Sequence, residues 1–426
     1  MTRRWFLALL ILIAPTAPAA AQQPPSAELR AGAERVLALL RGEAAPADIF
    51  TADFLAQVPE AQVRAIVQQL GAQHGAAQRV AGIEAQSATM GVIHIETERA
   101  TLHMTLVVEP AAPHRISGLL VTGADMRGDS IAAVMTEIRA LPGRTSMAVA
   151  RLGDGAPTLA ASIEPDRALA IGSTFKLWIL AELSRQVRAG RRRWSDVVAL
   201  DRRSMPGGTL YGWPQGAPAT LHTLAALMIS QSDNSATDML LHAAGRANVE
   251  RMMATIGVEA AARNRPMLST LELAALKTGP AAAVDAWQQA DEAGRRRMLA
   301  ERYANVDPAG IDVARFSGNP LHIDSIEWFA SAADLVRTMD WLRRNADDSA
   351  RAILAINPVL GPQARGAFAY VGYKGGSEPG VINLTWLIQS RGGAWHVVTG
   401  GWNNPAAPVE EARFLSLMTR AVQLLR

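Results

Sequence analysis

In the segment 128–426, strand-like alternation stands at both ends and apolar helical runs lie between them. Met147 to Leu152 and Leu159 to Ile163 read as a first hairpin, and Val381 to Gln389 and Trp395 to Trp402 as late strands. Phe175 to Val187 and Leu221 to Ile229 are apolar enough to be buried helices, and Val409 to Leu425 is a closing amphipathic helix. This order requires a sheet assembled from the two ends of the segment, with a helical subdomain in its middle. A polar, glycine-bearing break at Gly123-Ala124-Asp125-Met126-Arg127-Gly128 precedes it. Upstream, residues 26–122 form a small α+β unit. Helical spacing runs over Ala27 to Leu40 and Glu60 to Leu70, then alternation over Thr101 to Leu106 and around Ile116 to Val121. His94 and His103 fall among alternating residues and read as sheet positions rather than ligands. With no acid/base constellation in view, this unit is expected to be an accessory or binding domain.

The 426 residues are 49% hydrophobic and 19% charged, enough apolar material for two cores and too little charge for disorder. The first residues combine Arg3-Arg4, the apolar run Trp5 to Ala14 and the small residues Ala19-Ala20-Ala21. That is the pattern of a secretory signal peptide over residues 1–21, closed by Pro15 and Pro18 and too short to span a bilayer. The expected mature protein is periplasmic or secreted and keeps no stable membrane span. There is no cysteine, so disulfides, thiolate catalysis and thiolate metal sites are excluded. The net charge of +3 comes with no basic stripe, and nucleic acid is not an expected partner. Arg191-Arg192-Arg193 and Arg295-Arg296-Arg297 read as solvated helix ends.

Only three of the 42 basic residues are lysine: Lys176, Lys277 and Lys374. Arginine stays protonated, whereas a desolvated lysine can lose its proton and act as a base. Two of the three lie in short polar motifs. Ser173-Thr174-Phe175-Lys176 opens the helical run Leu177 to Leu180, which puts serine at a helix N-terminus and lysine one turn on, on the same face. Ser232-Asp233-Asn234 follows the run Leu221 to Ile229; its serine could relay a proton and its amide could hold a substrate oxygen. Lys374-Gly375-Gly376-Ser377 leads into the strand Val381 to Gln389. Glycines on an edge strand admit a substrate backbone, lysine supplies a charge for a carboxylate, and the Ser377 N–H could join that of Ser173 in an oxyanion hole. Singly, each also fits a plain role: a capping serine, a polar turn, a hairpin turn. Lys277-Thr278-Gly279 imitates the third motif, but it follows the capping box Ser269-Thr270-Leu271-Glu272 and ends a helix.

In order, the three motifs resemble the serine–lysine, serine–aspartate–asparagine and lysine–glycine signature of class A β-lactamases and penicillin-binding proteins. The resemblance covers about residues 130 to 426. It implies an α/β (α+β) serine β-lactamase/DD-peptidase fold, an antiparallel sheet plus helical subdomain over 128–426. The implied roles are Ser173, Lys176 and Ser232 as catalytic residues, with Asn234, Lys374, Gly375, Gly376 and Ser377 binding substrate. The N–H groups of Ser173 and Ser377 would form the oxyanion hole, with no metal and no cofactor. Residues 26–122 resemble the cone-shaped fold of the steroid-isomerase and nuclear-transport-factor group. The two-domain layout is similar to that of a β-lactamase-fold protein encoded among the clavulanic acid biosynthesis genes. The 142 residues from Ser232 to Lys374 exceed the class A spacing and imply an insertion, placed at Ala281 to Tyr303.

Class A enzymes carry a deacylating glutamate on a loop after the second motif. The corresponding stretch here, Asn264-Arg265-Pro266-Met267-Leu268-Ser269, holds no acid, and Glu272 is the nearest substitute. The expectation is a serine hydrolase that forms an acyl-enzyme with a β-lactam, ester, amide or peptidoglycan fragment. The alternatives are a D,D-peptidase and a sensor that acylates without turnover. Tyr211 and Trp213 are candidates for the cleft wall or for loop packing.

Overall fold

The computed structural model describes residues 24–426, which fall into two compact units divided between Gly128 and Asp129. The expected signal peptide lies outside the described residues. No helix among them is long and apolar enough to cross a membrane.

In the first unit, helix α1 (Ala27–Leu40) and helix α2 (Glu60–His74) accompany a four-stranded antiparallel sheet. Its strands are β1 (Ala77–Ala85), β2 (Met90–Thr97), β3 (Ala100–Val108) and β4 (Ile116–Met126), in that spatial order. Ser26 caps α1 by accepting from the Leu29 N–H. Leu29, Val36 and Leu37 of α1 bury against Ile93, Ile95, Leu102, Met104 and Leu106 of the sheet. Along β3 the alternation is strict: Leu102, Met104 and Leu106 point into the core, and Thr101, His103 and Thr105 to the other face. Strand β1 escaped the sequence reading and β2 was read only at His94, because their alternation carries Arg79, Gly82, Glu84 and Glu96.

In the second unit, helix α3 (Ile131–Arg139) precedes the hairpin β5 (Arg144–Leu152) and β6 (Thr158–Ile163). The remaining strands come from the far end: β7 (Phe368–Glu378), β8 (Val381–Ser390) and β9 (Trp395–Asn403). The five form one antiparallel sheet in the order β7-β8-β9-β5-β6, so β9 joins the two chain ends and β7 is an edge. One face packs on α3 and the closing helix Glu411–Gln423 through Val134, Ile138, Trp386, Val398, Phe414 and Met418. The other face packs on the helical region, whose centre is the buried helix α4 (Lys176–Arg188).

Between Asn264 and Phe329 the chain makes a long excursion carrying α5 (Thr270–Thr278) and two further helices, Ala281–Gln289 and Glu292–Met298. The insertion expected at 281–303 lies within it. The Asn264 amide closes its base, accepting from the Phe329 N–H at 2.8 Å and donating to the Phe329 carbonyl at 2.8 Å. Deeper in, Lys277 is fully buried, 2.7 Å from Glu327 and in contact with Glu378 at the end of β7. Burial alone would drive Lys277 toward neutrality, but the two glutamates outweigh it and hold the ammonium above its ordinary value. Lys277→Met would strand both carboxyls without their cation and is expected to cost about 3–5 kcal/mol of stability. Urea unfolding monitored by tryptophan fluorescence checks this.

Candidate active site

The Ser173 turn is fixed from three sides. The Asn403 amide brackets Ala170, accepting from its N–H at 2.8 Å and donating to its carbonyl at 3.0 Å. Ala170 also pairs with Phe329, and the Ile171 N–H donates to the Trp328 carbonyl at 2.9 Å. Phe175 stacks on Trp328 with ring centroids 3.8 Å apart. Gly172 to Phe175 form a single 3-10 turn, and the α-helix proper starts at Lys176 rather than Phe175. Ser173 is half-buried, and no described residue hydrogen-bonds its hydroxyl.

Strand β7 presses against this turn so closely that only glycine fits. A Cβ on Gly376 would lie 2.3 Å from the Ser173 nitrogen and 2.3 Å from the Ile171 carbonyl oxygen. A Cβ on Gly172, whose φ is +48°, would lie 3.1 Å from the Ser377 nitrogen. A Cβ on Gly375 would meet the Tyr373 hydroxyl at 2.1 Å. The two glycines of the third motif therefore make room for the protein's own turn and tyrosine. Along an antiparallel pair, residues alternately face their partner strand and turn their polar groups away. The Gly375 carbonyl is turned outward, since it accepts from Lys374 Nζ at 2.5 Å. By the same alternation, Ser377 two residues on directs its N–H to the edge, beside the Ser173 N–H.

All three lysines of the chain are buried: Lys176 and Lys277 are 0% exposed and Lys374 3%. Lys176 Nζ donates to the Ser232 carbonyl at 2.6 Å and to Asn234 Oδ1 at 2.9 Å, and lies 3.0 Å from Ser232 Oγ. Lys374 Nζ approaches the same Ser232 Oγ from the other side at 3.1 Å. Ser232 holds its place with a positive φ of 58°, a strained conformation for a residue with a Cβ. Asp233, buried beneath it, caps the helix Asn234–Ala244 by accepting from Ala236 N–H and also accepts from Leu210 N–H at 2.9 Å. The capping role belongs to the aspartate, which leaves the flanking serine and asparagine to face the lysines.

Burial, reinforced by the Lys374 charge, pushes the Lys176 amine well below the ordinary lysine value, against the opposing charges of Asp238 and Asp233. Burial also lowers Lys374, to about 7. A neutral Lys176 amine has two N–H donors and one lone pair. The Ser232 carbonyl and Asn234 Oδ1 take the donors, and the lone pair remains for a hydroxyl proton. A charged Lys374 spends two donors on Ser232 Oγ and the Gly375 carbonyl and keeps one. Asn234, its Oδ1 engaged, has its Nδ2 group left to donate.

Ser173, Ser232, Asn234, Gly375, Gly376 and Ser377 line one cleft of about 590 Å³, and Lys176 and Lys374 underlie it through Ser232. Tyr373 and Glu411 line it too, and the sequence reading missed both. Burial and the Glu411 charge push the Tyr373 hydroxyl up, so it stays protonated. Glu272 is not in this cleft. Both its oxygens bind Arg246, at 2.7 and 2.9 Å, it completes the capping box with Ser269, and it lines a separate cleft with Arg202 and Tyr303. Tyr211 and Trp213 do not line the Ser173 cleft either: Tyr211 lies under the Arg203 guanidinium, and Trp213 packs on the helical core.

Residues 128–306 match the model of a family described as the Beta-lactamase enzyme family. Among solved structures, a β-lactamase from Sphaerobacter thermophilus DSM 20745 is 21% identical, over 69% of this chain and 93% of its own, with a TM-score of 0.46. PBP-A is 17% identical over 69% and 92%, with a TM-score of 0.47. A β-lactamase from Chitinophaga pinensis DSM 2588 is 16% identical over 69% and 97%, with a TM-score of 0.46. No curated protein matches the chain. The unit 129–426 has the serine β-lactamase/DD-peptidase fold, an antiparallel sheet beside a helical region. Over residues 128–306 the chain is similar to the Beta-lactamase enzyme family.

Proposed function

We propose that this protein is a serine acyl-transfer hydrolase in which Ser173 is acylated and the acyl group leaves slowly. The carrying observation is the buried pair of lysines on either side of Ser232 Oγ, of which Lys176 lies one turn along the chain from Ser173. Ser173 Oγ attacks the substrate carbonyl carbon and its proton passes to the neutral Lys176 amine. The C–O bond forms and the oxyanion is held by the N–H groups of Ser173 and Ser377. Collapse breaks the bond to the leaving nitrogen or oxygen, which takes its proton from Lys176 through Ser232. Asn234 Nδ2 supports a substrate carbonyl, and the remaining Lys374 donor a substrate carboxylate.

Slow release rests on the stretch 264–269, which carries no acid, and on Glu272 being committed to Arg246. Of the residues lining the Ser173 cleft, only Glu411 carries a carboxylate, and it stands at the start of the closing helix beside Tyr373. This favours a D,D-peptidase or a β-lactam sensor over an efficient β-lactamase. Export through the segment 1–21 fits a peptidoglycan-derived or β-lactam substrate. Rapid mixing with a chromogenic cephalosporin and with an activated ester tests the order of rates. A burst of one product per protein, then a slower steady state, is expected; steady turnover without a burst would overturn slow release.

Recognition of a substrate carboxylate should depend on pH through Lys374. Its value of about 7 means that it is charged below that pH and loses its charge as pH rises. The kcat/KM for a carboxylate-bearing β-lactam is expected to fall about tenfold per unit above that point, and that for an uncharged ester to stay level there. Parallel pH–rate profiles check this.

A further inference from the structure

On the face of the first sheet turned away from α1, one row across the four strands reads Gly82, His94, His103, Gly123. The two histidines are direct cross-strand partners with Nδ1 atoms 2.7 Å apart. Each ring is held at its far nitrogen by a carboxylate: His94 Nε2 lies 3.1 Å from Glu84 and His103 Nε2 3.1 Å from Asp125. A carboxylate only accepts, so each Nε2 carries a hydrogen and the two Nδ1 atoms are turned to each other at hydrogen-bond distance, where a proton bridges them or a metal ion takes the proton's place. The rings are not crowded along the row: even a Cβ on Gly82 would come no nearer than 3.4 Å to His94, and one on Gly123 no nearer than 3.9 Å to His103.

We propose that His94 and His103 bind one divalent transition-metal ion of the zinc, nickel or copper class through their Nδ1 atoms. Glu84 and Asp125 act from behind, fixing the tautomer and orientation of each ring, as carboxylates behind metal-bound histidines do. Two bonds of about 2.1 Å at a tetrahedral angle span about 3.4 Å between donors, so the rings need only turn slightly apart. Among the described residues no set of three or more ligating side chains converges, so water completes the coordination. Imidazole donors favour these ions over magnesium and calcium.

Calorimetric titration of the full chain, free of any histidine tag and pretreated with chelator, tests the site with Zn²⁺. One equivalent is expected to bind, unaffected by millimolar Mg²⁺. His94→Ala and His103→Ala should each abolish it. Glu84→Gln, at an exposed carboxylate that folding does not need, should weaken it about 10–100-fold. Circular dichroism checks that the variants fold. No stoichiometric binding by the wild type would overturn the proposal, as would binding unchanged in His94→Ala; the row would then be a hydrogen-bonded histidine pair only.

Discussion

Ser173→Ala is expected to leave no covalent adduct with any penicillin or activated ester and to lower turnover on the order of 10⁴-fold or more. The fold should survive, because no described residue hydrogen-bonds the Ser173 hydroxyl and its removal leaves no buried partner stranded. The positions that shape the turn, Gly172 and Gly376, are untouched by the change, as are the Asn403 bonds to Ala170 and the Trp328 bond to Ile171. Binding should therefore persist without chemistry. The variant is expected to retain non-covalent affinity for a carboxylate-bearing β-lactam, measured by tryptophan fluorescence, while losing the burst. A burst of undiminished size would place the nucleophile elsewhere.

Lys176→Arg is expected to slow acylation by about 10²–10⁴-fold, as much as Lys176→Met does. The comparison separates charge from basicity. If Lys176 only supplied a positive charge beside Ser232, arginine would preserve most of the rate. As a base it must be neutral, and arginine cannot be. Burial drives Lys176 toward neutrality, so the wild-type rate should fall as acid protonates the amine. Both replacements disturb the donors to the Ser232 carbonyl and Asn234 Oδ1, so thermal unfolding should accompany the kinetics. The base assignment fails if the arginine variant acylates at near the wild-type rate.

How much of this was legible in the sequence depended on how local the signal was. Ser173 and Lys176 share one turn, Ser232 and Asn234 sit around one cap, and Lys374 opens a strand-borne glycine pair; each can be read within a few residues. Lysine scarcity pointed further, since burial sets apart all three positions in an arginine-rich chain. The purpose of Gly375 and Gly376 could not be read, because what occupies their missing side-chain space, Tyr373 and the Ser173 turn, comes from a register between elements. Lys277 was rightly set aside from the third motif, but its two glutamate partners lie 50 and 101 positions away. Likewise His94 and His103 were read as sheet residues, while the row that aligns them between Glu84 and Asp125 exists only once four strands pair. Glu272 shows the converse: its capping box was visible, and Arg246, which commits it elsewhere, was not.

The central claim is that Ser173 takes an acyl group and releases it slowly. Intact-mass spectrometry after mixing with benzylpenicillin, sampled from seconds to hours, tests it most directly. The expected result is a gain of one whole penicillin per chain, located on the peptide carrying Ser173 and persisting over hours. No mass gain from either the penicillin or an activated ester, with Ser173→Ala indistinguishable from the wild type in turnover, would contradict it.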